Sequence, residues 1–197
     1  MLRRTFAATA CALLLIPALA TAAVDKFNVD PAHSEVGFTV RHLVSKVSGR
    51  FNQFEGTVMV DQKDPSTLSV EGKVQVGSVD TNQSARDKHL KSDDFFSVEK
   101  FPELTFKSTK VAKNGDKWSV SGDLTMHGVT KPVTLDLAIL GFAPVPEQMG
   151  GGVRAGFEAT GRVSRKDFGI NGATPIVGDD VDILIRVEAA LDKGTPK

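Results

Sequence analysis

From residue 35 onward apolar and polar side chains alternate in long stretches, the signature of β-strands with one buried face. Residues 35–42 place Val36, Phe38, Val40 and His42 on one face, with Glu35, Thr39 and Arg41 among the others. Residues 50–61 carry Phe54, Gly56, Val58 and Val60 on one parity and Phe51 on the other, which predicts a bulge near Asn52 or Gln53. Asp64-Pro65-Ser66 reads as a turn, and residues 67–77 then alternate again. Further strands are expected over residues 103–111, 118–126, 133–140, 153–164 and 180–191, with turns at Asn114-Gly115 and His127-Gly128. Residues 141–152, rich in proline and glycine, read as a mobile loop, residues 165–179 as irregular, and the tail after Asp192 as disordered.

The stretch 78–106 breaks this pattern. Ser84-x-x-Asp87 has the form of a capping box and predicts a short helix over residues 85–91. Ser92 or Asp93 would cap a second turn that delivers Phe95 and Phe96 inward, and Pro102 returns the chain to extended backbone. Two readings fit: a helical lid across the mouth of a barrel, or a surface crossover between two strands. With it, the chain reads as all-β: an eight-stranded antiparallel barrel with a short helical insert between strands three and four. A two-sheet sandwich is the competing architecture.

Composition narrows the function. Residues 1–22, with Arg3 and Arg4 ahead of an apolar run and small residues at its end, read as a cleaved secretory signal peptide, leaving 23–197 as one domain. Arg3-Arg4-x-Phe6 partly matches a twin-arginine leader; Ala20-Thr21-Ala22 points to cleavage before Ala23, and Ala18-Leu19-Ala20 fits almost as well. The lone cysteine, Cys11, leaves with the signal, so the mature domain has no disulfide and no thiolate chemistry. Without Arg3 and Arg4, the 24 basic side chains become 22 against 24 acidic ones, a balance that argues against nucleic acid as a partner.

Catalytic signatures are missing from the sequence: no G-x-S-x-G elbow, no phosphate-binding glycine loop, no H-E-x-x-H. The four histidines (His33, His42, His89, His127) lack zinc-site spacing, so no metal, cofactor or catalytic residue is expected. The interior carries more information. Phe38, Phe54, Phe106, Phe157 and Trp118 fall on inward parity, Phe51 lies beside them, and Phe95 and Phe96 come from the insert. Small inward residues (Gly56, Gly72, Gly122, Ala159, Gly161) fit either a packed barrel taper or a tunnel with aromatic walls. His42 is the one polar side chain on its inward face, placed to meet a backbone group or the polar end of a ligand.

Several motifs in order resemble the YceI-like, polyisoprenoid-binding proteins. They are Asp30-Pro31-Ala32-His33-Ser34, the run Val36-Gly37-Phe38-Thr39-Val40-Arg41-His42, and Ser48-Gly49-Arg50-Phe51. Further on come Arg86-Asp87-x-His89-Leu90-Lys91-Ser92-x-Asp94-Phe95-Phe96, Phe101-Pro102-x-Leu104-x-Phe106, the run from Gly122 to Val133, and Arg165-x-x-Phe168-Gly169. The resemblance implies a lipocalin-like barrel of the bacterial periplasm that binds, carries or stores a polyprenyl phosphate or isoprenoid quinone without catalysis. Under it, the phenylalanines, Trp118 and His42 would line the site. From their rim positions, Arg86, Lys131 and Arg165 would meet a head group or stand as solvated cations, while Asp87 and Thr81 hold the insert in place. Other readings are a lipid-modifying enzyme with His42 or His89 as base, and an accessory that hands quinone to a membrane redox partner. The domain would be a monomer or a homodimer.

Overall fold

Strand β11 (Val177–Leu191) is the seam of the molecule, because two earlier segments pair with it in succession. The structure, a computed structural model, describes residues 24–194, so the expected leader and the last residues of the tail lie outside the described residues. β1 (Asp25–Val29) pairs with the C-terminal end of β11 and β2 (Glu35–His42) with its N-terminal part. A 3-10 turn over Pro31–His33 bends the chain between them. At the bend the Ser34 hydroxyl takes over from the ladder, accepting from the Glu188 amide at 3.0 Å and lying 3.2 Å from the Glu188 carbonyl. Asp30 caps the turn through the Ala32 amide, and hydrogen bonding from His33, then from Ala32, holds its carboxyl below the usual range.

β3 (Ser45–Phe51) pairs with β2, and β4 (Phe54–Asp61) continues along β1. The bulge expected near Asn52 is a complete break. The amides of Asn52 and Gln53 leave the sheet and donate to the Ser78 carbonyl and hydroxyl at 3.1 and 3.0 Å. The turn after β4 falls on Gln62-Lys63 rather than on Asp64-Pro65-Ser66. Pro65 lies within β5 (Asp64–Gln75), in the part that pairs with β4 alone, where its missing N–H breaks no ladder.

The insert holds the two-residue β6 (Val79–Asp80), paired with Arg50 and Phe51, and the helix α1 (Ser84–Leu90). Then follow β7 (Glu103–Asn114), β8 (Lys117–Met126), β9 (Val129–Pro144) and β10 (Val153–Ser164). All pairings are antiparallel, and the ring runs β1-β4-β5-β7-β8-β9-β10-β11 and back to β1. Counting β1–β2 and β3–β4 as single bent strands gives the expected eight around the barrel, with the insert between the third and fourth.

The capping box is not used. Gln83 is the N-cap, its side chain accepting from the Arg86 amide at 2.6 Å. Asp87 instead turns back to the amide and hydroxyl of Thr81. β9 continues past Leu140 through Gly141 (φ 134) to Pro144, so the first four residues of the expected loop are strand. Phe142 thereby reaches Phe27 and Phe157, with ring centroids 5.8 and 6.2 Å away.

One end of the barrel is filled. Phe27, Val60, Leu68, Val120, Leu137, Phe157 and Ala189 form its core, with Trp118 packed against them. Phe27 is fully buried on the strand that completes the ring. Phe27→Ala is therefore expected to lower unfolding stability by about 3–5 kcal/mol in urea titrations, whereas a loss under ~1 kcal/mol would show that β1 contributes little to closure.

Candidate functional site

Above the filled end the barrel holds an apolar chamber of about 260 Å³. Its walls come from β2, β4, β5, β7 and β11, where inward positions are held mostly by valine and glycine: Val36, Val40, Gly56, Val70, Gly72, Val74, Val181. Such side chains are too short to meet across an eight-stranded ring, and an empty interior follows. The insert covers the chamber with Leu90, Phe95 and Phe96, and Ile170 adds to the wall from the loop after β10. Backbone bonds from Phe95 to Ser92 and from Phe96 to Leu90 set these rings inward, as the expected second turn requires.

Most of the sequence-predicted aromatic residues converge here. Phe38, Phe51, Phe54, Phe95, Phe96 and Phe106 all line the chamber. Phe51 stands between Phe38 (5.6 Å) and Phe96 (6.0 Å, edge-on), so barrel wall and insert meet through rings. Three others depart from expectation. Phe157 and Trp118 belong to the filled end and form the floor region rather than the wall. His42 is exposed: its parity is inward, but it lies at the last residue of β2, at the rim, and is not part of the chamber wall.

The glycines divide as well. A Cβ on Gly49 would lie 2.4 Å from the Phe38 ring, one on Gly122 2.5 Å from Phe106, and one on Gly161 2.4 Å from Leu135, so these three are already covered. A Cβ on Gly72 meets only the Glu55 carbonyl, at 3.8 Å. Gly72 is thus open space facing the chamber.

The three rim cations have other geometries. Arg86 donates to the Thr81 hydroxyl and carbonyl, both at 2.7 Å, and ties the insert together with Asp87. Lys131 is exposed on β9 and is not part of the chamber wall. Arg165 is buried beside the chamber, and its guanidinium donates to the carbonyls of Gly178, Ile170, Gly172 and Val177 at 2.8–3.1 Å. Burial pushes its pKa down, and Asp179 at 3.6 Å acts in the opposite direction. Its hydrogen bonds go to shaping the 165–178 loop. A head-group contact from Arg165 would compete with those bonds.

His127 was not singled out by its sequence context, yet it latches the lid. Held at φ 53 in the turn between β8 and β9, its Nδ1 lies 3.1 Å from the Phe168 carbonyl and its Nε2 3.2 Å from the Ser97 hydroxyl. One imidazole thus joins the barrel, the insert and the loop after β10. Its sequence signals are the His127-Gly128 turn and its place in the run from Gly122 to Val133. His89 lies outside, paired with Asp94 at 2.9 Å with its ring edge-on to Phe95. Asp30, His33 and Glu188 cluster closely enough to approach a metal ion, but Arg154 supplies a cation there, 3.1 Å from Asp30 and 3.6 Å from Glu188.

A closed antiparallel barrel with an apolar chamber under a short helical insert defines a lipocalin-like protein. The chain belongs to the YceI-like family: the model of the YceI-like domain matches residues 27–189. The chain is similar to the protein YceI of Salmonella arizonae, 42% identical over 186 residues that cover 94% of this chain and 96% of the relative. The crystal structure of the Campylobacter jejuni YceI protein superposes with a TM-score of 0.70 at 33% identity, over 83% of this chain and 96% of that one. The fold is also shared with a polyisoprenoid binding domain from Saccharophagus degradans, implicated in plant cell wall breakdown, at a TM-score of 0.66 and 13% identity over 84% of this chain and 98% of that one.

Substituting Arg165 by Met removes the donors of four buried or half-buried carbonyls. Arg165→Met is expected to cost about 3 kcal/mol or more of stability, read from its urea midpoint against wild type. An unchanged midpoint would mean that the guanidinium is not what holds the loop.

Proposed function

We propose that this protein is a non-catalytic carrier or store for a long amphiphile with an isoprenoid tail, either a polyprenyl phosphate or an isoprenoid quinone. The observation that carries this reading is a chamber walled by valine, glycine and phenylalanine inside a closed barrel. Each methylene moved from water into such a chamber gains about 0.8 kcal/mol before ordering costs, enough to hold a tail that water rejects. The Saccharophagus polyisoprenoid binding domain with the same fold supports the ligand class.

The head group stays near the rim, since the chamber wall is apolar and the guanidinium of Arg165, one of the charged groups at its edge, is taken up by backbone carbonyls. The protein needs no cofactor or metal of its own. His42 and His89, the bases an enzyme reading would need, both stand exposed outside the chamber, which favours binding over turnover. With a leader expected over residues 1–22, the carrier would work in the periplasm, where a membrane redox or lipid-processing protein would receive the cargo.

Gly72→Leu tests this directly, since a Cβ there makes only an ordinary 3.8 Å contact with the Glu55 carbonyl and the added side chain enters open space in the chamber. Delipidated wild type should take up ubiquinone or polyprenyl phosphate from detergent solution. The variant should take up less by about tenfold, some 1.4 kcal/mol, with its thermal midpoint kept or raised. Equal uptake by the two proteins would place the ligand elsewhere.

A further inference from the structure

The hairpin joining β2 to β3 turns on Leu43 and Val44, and neither residue is covered. Val44 is fully exposed, Leu43 is 56% exposed, and Ile176 beside them is 45% exposed. Hairpin turns ordinarily take Asn-Gly or Asp-Gly, whose backbones reach positive φ easily and whose surfaces suit water. Here Leu43 is held at φ 49, a costly conformation for a large apolar residue. Folding alone would favour a polar turn.

The position of this tip matters as much as its chemistry. The Leu43 amide donates to the Ile176 carbonyl at 2.9 Å, so hairpin and loop form one apolar point. Val177, the residue after Ile176, lines the chamber and pairs with His42, the residue before Leu43; Val40 lines it from the same strand. The loop before Ile176 lies against the insert, since a Cβ on Gly172 would meet the Asp94 carbonyl and the Phe95 ring. Tip, loop and lid therefore meet at one rim of the chamber.

Charge points to the partner. Arg41 at the base of the tip donates to the backbone carbonyls of Leu43 and Pro175, at 3.0 and 3.5 Å, and makes no carboxylate pair among the described residues. Asp182 is matched by Arg162 and Lys46, and Asp179 by Lys166. Asp180, further along β11, is the carboxylate of this stretch without such a pair among the described residues. An apolar point with a cation behind it complements the boundary between phosphate head groups and acyl chains.

We propose that Leu43, Val44 and Ile176 insert into a phospholipid bilayer and seat the chamber rim on the membrane, so that the amphiphile passes between bilayer and chamber without crossing water. The purpose of this docking rests on the carrier reading; the docking itself does not. The test compares wild type with the triple variant Leu43→Asn, Val44→Ser, Ile176→Ser. None of these side chains lines the chamber, and asparagine accepts the positive φ of position 43. Flotation with phosphatidylethanolamine vesicles doped with phosphatidylglycerol should carry the wild type upward. The triple variant should bind more weakly by about tenfold or more, with uptake of ubiquinone from detergent solution unchanged. Equal flotation of both proteins, or flotation of neither, would overturn the proposal. So would a wild-type dimer that dissociates on the same substitutions, since the patch would then serve a second copy of the chain. Wild-type flotation lost in the variant, with no ubiquinone uptake by either protein, would uphold docking and remove the carrier reading.

Discussion

The barrel closes because β11 holds two partners in turn, β1 along its C-terminal end and β2 along its N-terminal part. β1 completes the ring at the filled end, where Phe27 and Phe157 pack through Phe142. β2 leaves that line after the Pro31–His33 turn and carries β3 away with it. The sheet therefore opens between β3 and β5, and the insert occupies that gap. The Asp30-Pro31-Ala32-His33-Ser34 motif then has a physical meaning: it makes the bend and pairs the backbone groups that the bend would strand.

The chamber follows from side-chain size. An eight-stranded ring is just wide enough for large residues to fill. Leucine, valine and two phenylalanines fill one half; in the other, valine and glycine hold much of the wall between the phenylalanine rings. The lid is fixed by polar contacts at its margins, Thr81 with Asp87 and Arg86 on one side and His127 with Ser97 on the other. Its chamber face is apolar. This division keeps the chamber face of the lid apolar and gives the lid a defined seat.

Alternation along the chain made the strands, their inward faces and the barrel class legible before any coordinates. Alternation reports which face a residue occupies and is silent on its depth along the barrel axis. His42 has inward parity but lies at the rim, outside the chamber wall, and Trp118 and Phe157 have it but sit at the filled end. β1 was missed because its signal is short: Phe27 and Val29 alternate with Lys26 and Asn28 over five residues. The first part of β3 was missed for a different reason. Gly49 has no side chain, and the apolar surface at that position comes from Phe38 across the strand pair. Arg165 read as a rim cation because spacing does not reveal that four backbone carbonyls would surround it.

The central claim is that the chamber holds a long apolar chain. The most direct measurement is a native mass spectrum of the mature domain purified from bacterial periplasm, followed by solvent extraction of its cargo. The account predicts a bound species with an isoprenoid tail at near-stoichiometric occupancy. Protein recovered empty in repeated preparations, and unable to take up quinone or polyprenyl phosphate afterwards, would contradict it. The insert would then be only a crossover on a closed core.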